Sequence, residues 1–462
     1  MQSRQQNQNL NMIELFTVEN YRSYKKEETL SFIASNKEKG SDLPPAWYKE
    51  INGKRILRLL LCVGLNGTGK SKMFSALSYL QMIATCKPES PTDKPEYRPF
   101  LLDDESKIKP TVLSLTYYLG EVSYCYKVSV SSERIEEEEL RVVTGNILVY
   151  NRWYNSVNDT VGIKYGPGCD LKKEDRRVLE KNVIQNSTVL AVFGGMNISS
   201  SLLRQNYDFF AQRISLVRRS DQGLEDRLQT GDQERDKRVK KLLLKLLKDV
   251  GTNIVDYEVD EASLSIDELV KSGAPEMLVK VMREQYPSGV ITHKNLHFIH
   301  STASQGNRYL DARLESLGTL NIIRVLVVMY DIVMGRKSSC IDEIEYGIHT
   351  KALAFILKMY LSIAEDCQVA VATHDLSLLG QPGLRRDAVR KFEKDENGCT
   401  HVRKAEYVHN TMSFLRQYNK MLDPKLDALM ENVNLFDEYK DLVNEFLSDL
   451  YGDGSVKNQP KD

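Results

Sequence analysis

The residues best equipped for chemistry lie in Gly64-Leu65-Asn66-Gly67-Thr68-Gly69-Lys70-Ser71, which fits G-x-x-x-x-G-K-[ST]. Gly64, Asn66, Gly67 and Gly69 supply a backbone cradle, because glycines let main-chain N–H groups approach phosphate oxygens closely. Lys70 is placed to reach the β and γ phosphates of ATP, and Ser71 to ligate Mg²⁺. The pattern has meaning only between a strand and a helix. Here Leu59-Leu60-Leu61-Cys62-Val63 is apolar and long enough for a buried strand, and Met73, Leu77 and Leu80 follow at helical spacing.

Three later stretches could complete such a site. Ser338-Ser339-Cys340-Ile341-Asp342-Glu343 reads as a short strand ending in two carboxylates. Asp342 would hold the Mg²⁺ shell and Glu343 would polarise the attacking water; the alternative is an acidic pair at a helix start. Val369-Ala370-Val371-Ala372-Thr373-His374 is a second buried strand with a polar end, and ligands gather at the carboxyl ends of parallel strands. His374 is either a γ-phosphate sensor or a satisfied loop histidine. Glu315-Ser316-Leu317-Gly318-Thr319 opens a long apolar helix, Leu320 to Met334, and free N–H groups at a helix start favour an anion. A single P-loop site is complete without it, so its natural use is on a second subunit. Upstream, Arg22 lies in a turn between two strands; a nucleotide contact and an ordinary solvated turn arginine are both open.

The surrounding elements must position these groups. Ile13–Val18 and Glu27–Ile33 read as strands before the glycine loop. Val112–Leu119, Val122–Val130, Glu138–Val143, Ile147–Trp153 and Thr160–Tyr165 alternate and are rich in β-branched and aromatic residues, which predicts an antiparallel meander. The acidic run Glu136–Glu139 is expected on a turn or solvated edge. From Leu171 the period becomes helical, and Ile214 is included in that helical run. Val239, Leu242, Leu243, Leu246, Leu247 and Val250 mark one amphipathic helix stopped by Gly251. Its other face carries Arg235, Lys237, Arg238, Lys240, Lys241, Lys245 and Lys248, either a solvated face or a contact for DNA or a partner. Val255–Val259, Met277–Met282 and Leu296–Ile299 are expected as strands. His293, His297 and His300 mimic a metal-ligand spacing, but an alternating strand divides them between faces. The domain division expected is a disordered start over 1–11, an ATPase lobe over 12–170, a helical insertion over 171–252, a second ATPase lobe over 253–410, and C-terminal helices and tail over 411–462.

The 462 residues are 41% hydrophobic and 27% charged with a net charge of −1, the values of a globular protein without a global field toward nucleic acid or membrane. Seven cysteines without a C-x-x-C pair argue against a zinc knuckle or disulfide framework. No signal segment or apolar run near 18 residues is evident, so a cytoplasmic protein without a membrane span is expected.

Taken in order, Asn20-Tyr21-Arg22-Ser23, the glycine loop, the meander, the helical insertion, Glu315-Ser316-Leu317-Gly318-Thr319, Asp342-Glu343-Ile344-Glu345 and Ala372-Thr373-His374-Asp375 resemble the ABC-type ATPase heads of the SMC–RecF–OLD class. More narrowly the chain resembles the stand-alone OLD-like ATPases of bacterial defence modules of the AbiL and PARIS types, over about residues 12–410. Pro99-Phe100-Leu101-Leu102 with Pro110, and Leu384-Arg385-Arg386-Asp387 to Asp395, are weaker matches. The resemblance implies an α/β fold: an ABC-type P-loop head with an antiparallel β subdomain and an inserted helical subdomain. It implies a head-to-head homodimer, or a higher homo-oligomer, with ATP at the interface. Lys70, Ser71, Asp342 and Glu343 carry over as the site in one subunit; Ser316, Gly318 and Thr319 as the signature presented to the other; His374 as the switch histidine; and Arg22 as a nucleotide contact. The departure is the Q-loop glutamine, for which Arg98–Ser106 offers no candidate.

Relatives often join such a head to a Toprim nuclease, whose chemistry needs a D-x-D carboxylate pair. The sequence has none, and the stretch after the head is short, so a separate nuclease or toxin is expected as effector. The first expectation is therefore an ATPase sensor and scaffold in anti-phage defence, closed by ATP and controlling that effector. The alternative is a RecF- or SMC-like DNA maintenance ATPase.

Overall fold

The computed structural model describes residues 10–35, 47–217, 223–381, 383–404 and 433–451. The chain forms two compact units: Met1–Arg219 with Asp331–Glu345 and Leu353–Asp462, and Ser220–Tyr330 with Tyr346–Ala352. The helical stretch expected as one insertion over 171–252 thus divides between the units. Of the start expected to be disordered, 1–9 lie outside the described residues, whereas Leu10 is buried and Asn11 begins a strand.

The first unit opens with β1 (Asn11–Glu19), β2 (Glu28–Ser31), β3 (Tyr48–Ile51), β4 (Lys54–Leu57) and β5 (Leu59–Val63), then α1 (Lys70–Thr85). The meander follows as β6 (Thr111–Leu119), β7 (Val122–Val130), β8 (Ile135–Val142), β9 (Ile147–Asn155) and β10 (Thr160–Tyr165). Next come α2 (Lys173–Asn182), α3 (Val189–Gly194), α4 (Ser201–Asp208) and β11 (Ile214–Val217). The second unit contains α5 (Leu224–Leu228), α6 (Gln233–Asp249), β12 (Ile254–Ser265), α7 (Ile266–Lys271), α8 (Glu276–Gln285), β13 (Val290–Thr302) and β14 (Gly306–Asp311), and α9 (Leu317–Met334) begins in it. The chain continues with β15 (Ser338–Ile341), α10 (Thr350–Ile363), β16 (Gln368–Thr373), β17 (Val389–Lys394), β18 (Thr400–Lys404) and α11 (Val433–Tyr451). Of the C-terminal helices expected over 411–462, α11 is described and the rest falls outside the described residues.

Two sheets organise the first unit. The antiparallel one runs β10-β9-β8-β7-β6-β1-β2, and the other runs β11-β15-β16-β5-β17-β18 with only β18 antiparallel. Every residue of β5, β15 and β16 is buried, the pattern of parallel strands covered on both faces. The sheets are tied by Gln368, whose buried amide accepts from Ile13 N–H at 2.5 Å and donates to Ile13 O at 3.0 Å and Leu57 O at 2.9 Å. His401 on β18 makes a second tie. Its Nδ1 lies 2.8 Å from Glu28 Oε1 of β2, and its Nε2 3.2 Å from Asp395 Oδ2. These carboxylates, Glu28 first, raise the imidazole pKa. A raised folded value means that this stabilisation is complete below the unfolded histidine value of about 6.5 and is lost as pH rises through the folded one. In His401→Gln, the fall in melting temperature between roughly pH 6 and 8 becomes shallower than in the wild type.

The acidic run is where the structure departs most from expectation. Glu136–Glu139 lies within β8, well inside the sheet, and Glu138 is fully buried. Its carboxylate accepts from Tyr150 OH at 2.7 Å, Tyr126 OH at 3.0 Å, Val189 N–H at 2.6 Å and Leu190 N–H at 3.3 Å. Burial raises its pKa, opposed by these hydrogen bonds and by Arg152. The carboxylate thus holds the first turn of α3 onto the meander. Glu138→Ala strands two tyrosine hydroxyls, two amides and a buried arginine, so about 3–5 kcal/mol of stability is expected to disappear in a denaturant titration.

Two further elements differ. Ile214, expected in a helix, begins β11 because β15 offers it a parallel partner. Met277–Met282, expected as a strand, lies in α8, which follows Pro275; short apolar runs do not separate the two states by pattern alone.

In the second unit β12, β13 and β14 form an antiparallel sheet, and α6 buries Val239, Leu242, Leu243, Leu246 and Leu247. Gly251 follows α6 with φ +83°, the left-handed stop a glycine adopts most readily. By length and composition α9 could cross a membrane, contrary to the sequence expectation, yet 61% of it is buried inside the protein. It also holds Asn321 and Arg324, hydrogen-bonded at 2.6 Å.

Candidate active site

The parallel register brings three loops to one edge. Val63 pairs with Thr373, and Val371 with Ile341, so Gly64, His374 and Asp342 leave the carboxyl ends of the neighbouring strands β5, β16 and β15. The glycine loop is fitted tightly against its surroundings. A Cβ on Gly64 would meet Phe392 O at 2.5 Å, and one on Gly69, where φ is +108°, would meet Thr400 Oγ1 at 2.6 Å. Tyr24 OH donates to Gly69 O at 2.9 Å. Asn66 is exposed on the loop, and Gly67 takes φ +79°.

Lys70, at the start of α1, points back into this cradle. Its Nζ donates to Gly64 O at 2.6 Å and Leu65 O at 3.2 Å, and lies 3.2 Å from His374 Nδ1. With the ammonium donating, Nδ1 is the acceptor. Burial pushes the Lys70 amine below its ordinary value, against the opposing pull of Asp342, Glu345, Cys62 and Glu343. Ser71 is exposed beside it and Asp342 half-buried. Glu343 is exposed in the left-handed region at φ +51°, a strained backbone for a non-glycine residue.

Arg22 sits in the turn between β1 and β2 at φ +53°; its N–H donates to Arg98 O at 2.8 Å and its guanidinium lies 5.6 Å from the Tyr21 ring centre. Its Nε is buried without a hydrogen-bond partner. Burial lowers the Lys72 pKa, with Lys394 and Arg22 lowering it further, so three cations converge beside the first turn of α1. Lys72 and Lys394 were not singled out from sequence; their link to Arg22 is across strands and helices, not along the chain.

Ser316, Gly318 and Thr319 lie in the second unit, where α9 begins. Ser316 Oγ accepts from Thr319 N–H at 3.1 Å, and a Cβ on Gly318 would meet Gly347 O at 2.8 Å. His300 lies between Glu315 and Asn253, its Nε2 2.8 Å from Glu315 Oε1 and its Nδ1 2.8 Å from Asn253 Oδ1. His300 is thus a structural partner of this turn. Among the described residues no group of three or more histidine, cysteine, aspartate or glutamate side chains is arranged to hold a metal. The basic face of α6 is crossed by acids: Arg235–Asp236 at 3.1 Å, Lys237–Glu234 at 3.0 Å, Lys240–Asp256 at 2.7 Å and Lys245–Asp249 at 3.4 Å.

Comparison with known proteins gives the following. The chain is similar to the SMC head domain from Thermotoga maritima, with 13% identity and a TM-score of 0.39 over 86% of this chain and 99% of that one. It is similar to an SmcHead bound to the C-winged helix domain of ScpA, with 10% identity and a TM-score of 0.40 over 87% and 99%. A third similar structure is the Smc head domain with an extended coiled coil bound to the C-terminal domain of ScpA derived from Pyrococcus furiosus, with 10% identity and a TM-score of 0.37 over 89% and 100%. No curated protein matches the sequence. A family profile described as "AAA domain, putative AbiEii toxin, Type IV TA system" matches residues 63–380, more than half of the chain, from the last residue of β5 through β15 and β16. The chain belongs to this AAA family of ATPases.

Proposed function

We propose that this chain binds Mg²⁺–ATP at the ends of β5, β15 and β16, hydrolyses it, and uses the cycle to control a separate toxic effector in anti-phage defence. The observation that carries the catalytic part is the convergence of Lys70, His374, Asp342 and Glu343 from three adjacent parallel strands. The residues fit a nucleotide. The Lys70 ammonium rests on two loop carbonyls and an imidazole, partners that a phosphate would replace to advantage. The partnerless Arg22 Nε beside Lys72 and Lys394 supports an anion there too. Ser71 and Asp342 are the hard oxygen donors that would hold Mg²⁺, which when bound neutralises charge on the phosphates. Lys70 would bind and orient the phosphates, Glu343 would take a proton from water, and His374 would sense the terminal phosphate.

Ser316, Gly318 and Thr319 would complete the site of a second copy, making closure a dimer property. Contacts made only in the closed state bias the population toward it. The control of a toxin is supported by the family's description, which names a putative toxin and a type IV toxin–antitoxin system. The acid-crossed face of α6 gives the DNA-maintenance reading no support.

The test compares plaque formation by a phage panel on cells carrying the gene with its native neighbours. Protection by the wild type that disappears in Lys70→Ala is expected; no protection by the wild type, with DNA-stimulated turnover of the pure protein, would replace this reading by DNA maintenance. Ser316→Arg is expected to keep nucleotide affinity within about threefold while losing ATP-dependent dimerisation in light scattering, since one arginine at a packed interface blocks closure. An unaffected dimer would remove residues 316–319 from the interface.

A further inference from the structure

We propose that Glu345 is a positioning residue for ATP turnover, holding the main chain of His374 so that its imidazole stays against Lys70. The inference rests on the ATPase reading above and adds a residue that reading does not use. The carboxylate Oε1 of Glu345 accepts the His374 backbone N–H at 2.7 Å, and His374 Nδ1 then meets Lys70 Nζ at 3.2 Å. The link joins the two loops that leave the neighbouring strands β15 and β16. Glu345 follows β15 by a few residues and His374 follows β16, and in the same stretch Ile344 N–H donates to Ala372 O at 3.3 Å. The second oxygen, Oε2, is buried and has no hydrogen-bond partner. Glu138, by contrast, has both oxygens hydrogen-bonded. Glu345 instead leaves one beside the cradle, near enough to Lys70 to stabilise its charge.

The consequence concerns the histidine's proton. With Lys70 donating to Nδ1, a neutral ring carries its hydrogen on Nε2, and that N–H is the group left to donate elsewhere. If phosphate draws Lys70 away, the ring loses that partner, and the backbone anchor to Glu345 is then the hydrogen bond that holds His374 itself. Small displacements of a positioned group cost large factors in rate. Loss of the anchor should therefore lower kcat while leaving the phosphate grip of the glycine loop largely intact.

The test measures steady-state ATP turnover and Mg²⁺–ATP affinity for the wild type, Glu345→Ala, Glu345→Gln, His374→Ala and the double variant Glu345→Ala/His374→Ala. Glu345→Ala is expected to lower kcat by about tenfold or more with KM within about threefold. Glu345→Gln keeps an acceptor oxygen for the amide and is expected to restore kcat to within about threefold of the wild type. The double variant should be no slower than His374→Ala alone, because the two residues act through one path. Unchanged kcat in Glu345→Ala, or additive losses in the double variant, would overturn the proposal. So would Glu345→Gln as slow as Glu345→Ala, since charge and not the anchor would then be responsible. Failure of the ATPase reading is separate: it would appear as a wild type without Lys70-dependent turnover. Thermal melts of each variant identify one that does not fold, and Glu345→Gln, nearly isosteric, keeps the question answerable in that event.

Discussion

Lys70→Ala is expected to lower ATP turnover by at least about 100-fold and to remove the rise in melting temperature that Mg²⁺–ATP gives the wild type. The size follows from the cost of deleting one preorganised charge aimed at developing negative charge, typically two to three orders of magnitude. The missing thermal shift follows from linkage, since a ligand stabilises the folded state only as far as it binds it. The structure adds a control. The Lys70 ammonium is largely withdrawn from water, and burial lowers its pKa, so its charge is a cost to the folded protein at neutral pH. Its hydrogen-bond partners are two carbonyls and a ring nitrogen, without a directly bonded carboxylate to strand. The nucleotide-free variant should therefore melt at or above the wild-type temperature. A variant that binds nucleotide normally would refute the glycine-loop assignment; one that melts many degrees lower would point to a structural role for the lysine.

The elements that carry the site read clearly in the sequence. β5 is a continuous apolar run, β15 and β16 are short buried strands with apolar centres or ends, and each stops one residue before Gly64, Asp342 or His374, where the chemistry was expected to begin. The meander was equally legible, because β-branched and aromatic residues alternate between turns such as Gly120-Glu121 and Asn158-Asp159. What escaped depends on partners far along the chain. Glu138 looks solvated beside Glu136, Glu137 and Glu139, and only two tyrosines on neighbouring strands and two amides of α3 account for its burial. β11 is a strand because β15, more than a hundred residues later, accepts it in register. Glu345 was visible in the Asp-Glu-Ile-Glu stretch, but its partner is a main-chain N–H, and a backbone amide leaves no mark in a sequence. The signature residues could be read as a motif; their assignment to the second compact unit could not, since that unit is discontinuous in the chain.

Glu343→Gln should produce the opposite phenotype to Lys70→Ala: affinity for Mg²⁺–ATP within about threefold of the wild type, with turnover slowed by about 10²–10⁴-fold. Glutamine preserves the size and hydrogen-bonding reach of the side chain and removes only its ability to accept a proton from water at neutral pH. The backbone supports a dedicated orientation. Glu343 adopts φ +51° immediately after the strand-end Asp342, a conformation that glycine or asparagine would take with less strain. That turn separates the directions of the two carboxylates, leaving Asp342 half-buried and Glu343 exposed. The exposed one is therefore the candidate to meet a water molecule, and the half-buried one to meet a cation. If closure requires ATP and opening requires its hydrolysis, Glu343→Gln should also accumulate as a dimer when Mg²⁺–ATP is added, measurable by size-exclusion chromatography with light scattering. Slow turnover without the dimer would separate the chemistry from the assembly and reject ATP-driven closure. Turnover at the wild-type rate would move the proton-accepting role from Glu343 to the remaining basic groups at this sheet edge, Glu345 and His374, and the Glu345→Gln variant would then be the slow one.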